Sequence, residues 1–191
     1  MSGTRVYPDE PVGSFPSPPT TFEDTEGRSI EIRVPDAFDD VIDDVVDMYE
    51  AFDPTDRAQG IPPTGEKRIR GWLETIADES INVVARHGED VVGHAMLVPD
   101  AEEPPSVEDG TVTDADVEWE LAIFVLQEFQ RAGNGTALLE TLLGHASDVG
   151  ITHVWLTVER WNSSAIALYE RVGFEAIGSE SFEQEMTILL H

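Results

Sequence analysis

The chain has 191 residues, 40% of them hydrophobic, which favours a single globular domain with a substantial core. It has no cysteine, so disulfides, thiolate zinc sites and cysteine nucleophiles are excluded. No apolar run approaches the roughly 20 residues that span a bilayer, and the proline-rich N-terminal segment lacks the apolar core of a signal peptide. We therefore expect a cytoplasmic protein that has no membrane partner.

Charge is the unusual feature of the composition. Asp and Glu number 39 against 11 Lys and Arg, which gives a formal net charge of −28. Such a charge repels nucleic acid, which we exclude as a partner. The acidic residues are spread over an intact apolar pattern, so we favour adaptation to molar salt, as in a halophile, over an acidic interaction protein. At molar salt the Debye length is about 3 Å, which screens the repulsion.

The first half of the chain predicts an N-terminal arm and then alternating helices and strands. Residues 1–28 are rich in proline and poor in aliphatic side chains, which predicts an extended or disordered arm before a domain at 29–191. Apolar periodicity then predicts a strand, two helices and a hairpin, at Ser29–Val34, Pro35–Phe52, Glu66–Ala77, Ile81–Arg86 and Val91–Val98.

The second half begins with a polar loop, Pro99–Asp116, and continues as strand, helix, strand, helix and two closing strands. These elements are predicted at Val117–Val125, Gly135–Val149, Thr152–Val158, Asn162–Arg171, Phe174–Gly178 and Gln184–Leu190. The order predicts one α/β domain with a mixed sheet.

The segment Gln130-Arg131-Ala132-Gly133-Asn134-Gly135 stands at the entrance of a predicted helix. Glycines there allow a ligand close to the backbone, and the unpaired first-turn N–H groups attract an anion, so we predict a pyrophosphate site. A dinucleotide fingerprint is disfavoured because Leu138 occupies its third glycine position and seven residues separate Val125 from Gly133. No Gly-Lys-Ser/Thr sequence is present for a Walker loop.

Two segments resemble the GNAT family of N-acetyltransferases. Residues 130–135 match its Gln/Arg-x-x-Gly-x-Gly/Ala loop, and residues 162–174 match its Asn-x-x-Ala-x-x-x-Tyr-x-x-x-Gly-Phe segment. The resemblance covers roughly residues 29–190. It implies a single-domain α/β GNAT fold, with a mixed and mostly antiparallel sheet of six to seven strands flanked by about four helices.

The resemblance also implies a role for particular residues. Main-chain groups near Ile123 and Val125 would pair with the cofactor's pantetheine and acetyl carbonyl, where their strand splays from its neighbour. Asn162 and Tyr169 would contact the cofactor from the facing helix, and Tyr169 would protonate the leaving thiolate as the general acid. Backbone amides would hold the pyrophosphate of acetyl-CoA at Arg131, Ala132, Gly133, Asn134, Gly135 and Thr136.

The sequence indicates the general base less clearly than it indicates the cofactor-binding loop. Glu118 and Glu120 point to one face of their strand, and Glu159 ends the next strand. In the ribosomal-protein N-terminal acetyltransferases a glutamate stands five residues before the asparagine, whereas this chain has Thr157 there. We choose Glu120 as the candidate general base.

The five histidines show no paired ligand spacing, so we predict no metal site. His94, in an apolar strand, is interpreted as a packed or hydrogen-bonded histidine, with a position lining the cleft as the alternative.

Together these features predict an acetyl-CoA-dependent N-acetyltransferase. Its acceptor would be a primary amine, either a protein N-terminus or a small molecule, and transfer would be direct within a ternary complex. The alternative is a non-catalytic acyl-CoA-binding or interaction module with the same fold. A homodimer formed through an exposed strand is compatible with the pattern.

Overall fold

A computed structural model describes residues 5–53, 55, 62–108, 110–114, 116–178 and 182–191. Eight strands form one sheet, and four α-helices are found in this described part. The strands of the sheet are β1 Thr20–Glu23, β2 Ser29–Arg33, β3 Ile81–His87, β4 Asp90–Pro99, β7 Glu118–Val125, β8 His153–Glu159, β9 Glu175–Ile177 and β10 Glu183–Leu189. The helices are α1 Ile42–Glu50, α2 Glu66–Ala77, α3 Asn134–Asp148 and α4 Ser163–Val172. A separate hairpin comprises β5 Val107–Glu108 and β6 Thr111–Val112.

The sheet order is β1-β2-β3-β4-β7-β8-β10-β9. Every neighbouring pair is antiparallel except β7 and β8, which run parallel. This confirms the predicted mixed and mostly antiparallel sheet. The single parallel pair is at the centre, and α3 makes the crossover between its two strands.

Three details differ from the sequence prediction. The sheet has eight strands, because Thr20–Glu23 pairs with β2 as an added edge strand and the sheet thus begins before residue 29. The loop Pro99–Asp116 contains the small β5–β6 hairpin. The helix predicted at Pro35–Phe52 is divided into a short 3-10 turn at Phe38–Asp40 and α1, with Val41 between them.

The two faces of the sheet are covered by different side chains. One face packs against α3, whose Leu138, Leu139, Leu142 and Leu143 are fully buried. Each fully buried leucine contributes about 1.5–3 kcal/mol to stability. The other face packs against α1 and α2, where Tyr49 and Phe124 lie at the centre of an aromatic cluster. Both faces of the central strands are therefore apolar, and polar side chains among them need a specific explanation.

The N-terminal arm is described from Arg5 onward and lies extended along the domain. Its first residues contact β10, where the hydroxyl of Thr187 donates to the carbonyl of Val6 and the amide of Val12 donates to the carbonyl of Leu189. The arm then crosses α3 and enters β1. It therefore contacts both faces of the sheet.

Gly144 of α3 lies where the arm crosses the helix. A Cβ atom at this position would overlap the carbonyl oxygen of Pro16, so Gly144→Ala must displace the arm's backbone. We expect the substitution to lower the free energy of unfolding by about 1–3 kcal/mol, as overpacking does. Chemical denaturation in high salt measures this change.

Gly71→Ala in α2 is the matched control. Nothing lies within 4 Å of a Cβ atom there, so alanine's higher helix propensity should stabilise the protein by up to about 1 kcal/mol. Equal stabilisation by both substitutions would contradict the docked position of the arm.

Candidate active site

A fork between β7 and β8 lies at the centre of the sheet. The parallel register joins Glu118 to His153, Trp119 to Val154 and Glu120 to Trp155, and it ends there. Beyond this point β7 stays paired with β4 as far as Val125, whereas β8 stays paired with β10. The two strands therefore separate after Glu120, as the family resemblance implies.

Backbone alternation shows which groups of β7 face the fork. The amide of Leu126 donates to the carbonyl of Val92 on the β4 side. Since successive residues of a strand direct their N–H and C=O groups to opposite sides, the groups of Ile123 and Val125 point away from β4, towards the fork. The side-chain amide of Gln130 donates to the carbonyl of Val125 at 2.9 Å. The fork edge of β7 thus continues into the loop that follows it.

This loop reaches the entrance of α3 through two left-handed residues. Arg131 has φ +57° and Gly133, the N-cap residue, has φ +87°. No side chain caps the helix, and no acidic residue stands in its first turn. The first amides of an α-helix have no intrahelical partner, so Asn134, Gly135 and Thr136 present N–H groups without competition from a carboxylate of that turn.

Asn134 has a structural function that sequence reasoning missed. Its side chain is 2% exposed, and its Nδ2 donates to Oδ2 of Asp24 and to the carbonyl of Phe129. The amide of Thr25 donates to the carbonyl of Ala132. The turn between β1 and β2 therefore holds the loop in place. Asp24 lies 110 positions away in the chain, so no local pattern indicates this contact.

Asp24 is itself held as a carboxylate. Burial alone would raise its pKa, but hydrogen bonds from the backbone of Arg28, the side chain of Asn134, the side chain of Arg28 and the backbone of Glu26 lower that pKa to about 2. A buried anion with this number of donors stays ionised and keeps one orientation. The loop at the entrance of α3 is thus anchored by a fixed charge.

Helix α4 faces the entrance of α3. Asn162 caps it, because its Oδ1 accepts from the amide of Ala165 at 3.2 Å. The Nη1 group of Arg171 donates to Oγ1 of Thr136 at 3.4 Å, which joins the two helices. Arg171 is a cation beside the uncapped helix end that sequence reasoning missed. Only the fold reveals it, since 35 positions separate the two residues.

Tyr169 lies in the middle of α4 with its ring against Phe174, at 5.8 Å between centroids. Burial raises the pKa of its hydroxyl to about 12. Tyr169 consequently remains a proton donor throughout the physiological range. No hydrogen bond of this hydroxyl is found among the described residues, which leaves it available to a ligand.

Glu120 stands at the last paired position before the fork, on the face opposite α3. Partial burial and the neighbouring Asp100 raise the pKa of its carboxyl group, while Arg5 lowers it. Glu118 points to the same face, but its Oε2 is bound by Arg5 at 2.8 Å. Of the candidate bases on β7, Glu120 is the one that is not held in an ion pair among the described residues.

His94 is enclosed and does not line the fork. It is fully buried, with Nδ1 2.6 Å from the hydroxyl of Tyr49 and Nε2 2.8 Å from Oδ1 of Asn82. Because Nδ2 of Asn82 donates to Ser80, we assign the proton to Nε2 of His94 and the acceptor role to Nδ1. The interpretation of His94 as a packed and hydrogen-bonded residue is confirmed.

Burial lowers the pKa of His94 to about 3, so the residue is neutral in the folded protein. The unfolded value is about 6.5, and protonation therefore favours unfolding. The stability that the neutral His94 contributes to the fold is complete above pH 6.5 and is lost as the pH falls towards 3. We expect the stability advantage of the wild type over His94→Gln to shrink by about 1.4 kcal/mol per pH unit below pH 6.5. Urea unfolding of both proteins from pH 7 to pH 4 measures it, and parallel curves would contradict the burial of a neutral imidazole.

A cavity of about 540 Å³ lies away from the fork. It lies between α1, the β3–β4 turn and the Gln127–Phe129 turn, on the other side of the loop that leads into α3. Its wall is acidic at Asp44, Asp47, Glu89, Asp90 and Glu128.

The described residues contain no group of three or more histidine or carboxylate side chains arranged to hold a metal ion. None of the described helices has the length and apolar character to cross a membrane.

Comparison with known proteins identifies the family. The sequence profile of the Acetyltransferase (GNAT) family matches residues 43–174, which is more than half of the chain. The chain belongs to the GNAT family. The recognition made from the two sequence segments is thereby confirmed. The mostly antiparallel sheet also agrees with the sequence argument against a dinucleotide-binding fold.

Individual GNAT relatives match parts of the chain. An uncharacterised N-acetyltransferase of Mycobacterium bovis is 31% identical over 100 residues, which cover 52% of this chain and 56% of that protein. The Escherichia coli ribosomal protein bS18-alanine N-acetyltransferase is 46% identical over 52 residues, or 27% of this chain and 35% of that enzyme. The chain thus spans about half the length or less of these curated GNAT relatives.

Solved structures share the GNAT fold over nearly the whole chain. The GNAT domain of S. lividans PAT has a TM-score of 0.73 at 16% identity, over 90% of this chain and 97% of that one. The protein yncA of Salmonella typhimurium, solved with its cofactor acetyl-CoA, has a TM-score of 0.60 at 17% identity, over 84% and 92%. At these identities the likeness concerns the fold alone.

Proposed function

We propose that the protein is an acetyl-CoA-dependent N-acetyltransferase that transfers the acetyl group directly to a primary amine. The observation that carries this proposal is the fork edge of β7 leading directly into an uncapped helix entrance. A strand edge that is not paired with a neighbouring strand suits an extended amide-containing chain, and a helix N-terminus suits a pyrophosphate. Acetyl-CoA has both parts in that order.

The residues at this place fit the cofactor. Its pyrophosphate would meet the amides of residues 131–136, with Arg171 and Arg131 as nearby cations, and its pantetheine would meet Ile123 and Val125. The absence of an acidic side chain from the first turn of α3 is favourable in a chain of net charge −28. Asn162 would contact the cofactor through its Nδ2 group, since Oδ1 is used in capping α4.

Two protein groups would donate and accept the protons that the acetyl transfer requires. The amine nitrogen bonds to the acyl carbon and the carbon–sulfur bond breaks. Tyr169 supplies a proton to the departing thiolate, and Glu120, directly or through water, accepts the proton that the amine loses. Because the chain has no cysteine, a cysteinyl acetyl-enzyme is excluded, which supports direct transfer in a ternary complex.

A non-catalytic acyl-CoA-binding module is the second candidate. The observation that favours it is Thr157, which stands where the ribosomal-protein acetyltransferases have a glutamate. Such a module would keep the loop, α4 and the fork but would not activate an amine.

A thiol-release assay in high salt separates the two candidates. Peptides, polyamines, aminoglycosides and amino acids are offered as acceptors, and thermal stabilisation by acetyl-CoA is compared with stabilisation by NAD. Stabilisation by acetyl-CoA with thiol release for one acceptor class is expected. Stabilisation without release across the panel would support the binding module, and stabilisation by NAD alone would overturn both.

We also propose that the protein works in the cytoplasm at molar salt, where the repulsion between its negative charges is screened. We expect its melting temperature to rise markedly between dilute buffer and multimolar KCl. An unchanged melting temperature would contradict salt adaptation.

A homodimer is proposed through an edge strand of the sheet, and light scattering in the same buffers tests it.

A further inference from the structure

Arg5 of the N-terminal arm is held in a cage on the face of the sheet opposite α3. Its guanidinium carbon lies 3.4 Å from the ring centroid of Trp155. Its Nη1 lies 3.0 Å from Asp100 and 2.8 Å from Glu118, and its Nε lies 3.4 Å from Glu185. The side chain is only 15% exposed. One planar cation is thus stacked on an indole and surrounded by three carboxylates.

The cage is adjacent to the fork. Trp155 is paired with Glu120 at the last position where β7 and β8 are joined. Strand alternation places Glu118, Glu120 and Trp155 on the same face. Arg5 is close enough to Glu120 to lower the pKa of its carboxyl group. The arm therefore places a positive charge beside the candidate base, on the same face of the sheet.

The cage carries more negative charge than Arg5 neutralises, and three of its buried atoms have no hydrogen-bond partner among the described residues: Nε of Arg5, Oε1 of Glu118 and Nε1 of Trp155. Asp100, Glu118 and Glu185 give a formal charge of −3 against +1. Trp155 is 8% exposed, and its buried Nε1 has no hydrogen-bond partner among the described residues. A guanidinium suits the place because it stacks on aromatic rings and bonds carboxylates with a planar set of donors.

We propose that this cage is the acceptor's cation subsite, and that Arg5 occupies it as an internal competitor. The acceptor is then a primary amine that carries a guanidinium group at its other end. This proposal rests on the proposed N-acetyltransferase function. Entry of the acceptor's guanidinium requires Arg5 to leave, and an intramolecular competitor acts at an effective concentration in the millimolar range. Removal of Arg5 should therefore strengthen acceptor binding.

The test compares the wild type, Arg5→Ala and the control Arg33→Ala, which removes an exposed arginine paired with Glu31. Calorimetry in the presence of coenzyme A measures binding of agmatine and of n-butylamine, which lacks the guanidinium. Arginine amide is a second guanidinium probe, and it represents a peptide N-terminus. We expect Arg5→Ala to lower the Kd of agmatine or of arginine amide about tenfold. The Kd of butylamine should be the same for the wild type and for Arg5→Ala. Arg33→Ala should bind the probes with the same Kd values as the wild type.

An unchanged Kd for both guanidinium probes in folded Arg5→Ala overturns the proposal, as does an equal gain for butylamine. Circular dichroism and the melting temperature establish folding. If Arg5→Ala does not fold, Arg5→Lys decides, because lysine keeps the charge but loses the planar stack. We expect it to lower the Kd about threefold, and no change overturns the subsite.

Binding and turnover separate this proposal from the proposed function. Tighter agmatine binding to Arg5→Ala without acetylation would support the subsite and contradict the acetyltransferase. Acetylation of agmatine with the same KM in the wild type and in Arg5→Ala would support the acetyltransferase and overturn the subsite.

Discussion

Replacement of Tyr169 by phenylalanine is expected to lower kcat about 100-fold while the Kd of acetyl-CoA changes less than twofold. The substitution keeps the ring that packs against Phe174 and removes only the hydroxyl. General acid catalysis contributes about 10²–10⁴-fold to a rate, and a factor of 100 corresponds to about 2.7 kcal/mol of transition-state stabilisation. Steady-state thiol release and calorimetry measure the two quantities.

The pH profile provides a second readout for Tyr169. Because burial raises the pKa of its hydroxyl to about 12, the residue stays protonated below that pH, and its loss of function would begin only on approach to pH 12. Tyr49→Phe is the control. It removes a buried hydroxyl bonded to His94 and should lower stability without a large change in kcat. If Tyr169→Phe retains full kcat, the residue has no part in proton transfer.

Replacement of Thr136 by aspartate is expected to change stability and ligand binding in opposite directions. A carboxylate in the first turn of α3 interacts favourably with the helix dipole and should stabilise the fold by about 0.3–1 kcal/mol. The same charge would repel a pyrophosphate, and like-charge repulsion costs several kcal/mol in a binding site. We therefore expect roughly 100-fold weaker acetyl-CoA binding. Denaturation and calorimetry at one salt concentration measure both.

Thr136→Val is the matched neutral control for this position. It removes the hydroxyl that accepts from Arg171 without adding charge, so acetyl-CoA binding should weaken only a few-fold. If Thr136→Asp binds acetyl-CoA as well as Thr136→Val does, the pyrophosphate is not held at the entrance of α3.

The parts of the fold that were predictable from the sequence are those decided by nearby residues. Glu66–Ala77 is a helix with the predicted bounds, because its apolar stripe at Ile69 and Leu73 is local. The loop at residues 130–135 and the cap at Asn162 are also local patterns. The strand Thr20–Glu23 was missed because its residues become a strand only by pairing with β2.

The Arg5 cage was not predictable for the same physical reason. It is assembled from the arm, the end of β4, β7, β8 and β10, and its contacts join residues far apart in the chain. Arg5 and Glu118 are 113 positions apart, and neither residue stands in a pattern that indicates the other. The acidic composition further conceals the cage, since carboxylates occur throughout the sequence.

The docking of the arm on β10 has a consequence for biosynthesis. Val6 is hydrogen-bonded to a residue 181 positions later in the chain. At about 5–20 residues per second the ribosome needs roughly 10 to 35 s to make that interval, during which the arm has no surface to bind. Glu185 of the same strand also belongs to the Arg5 cage. The cage therefore stays incomplete until β10 has been synthesised, long after the arm itself has been made.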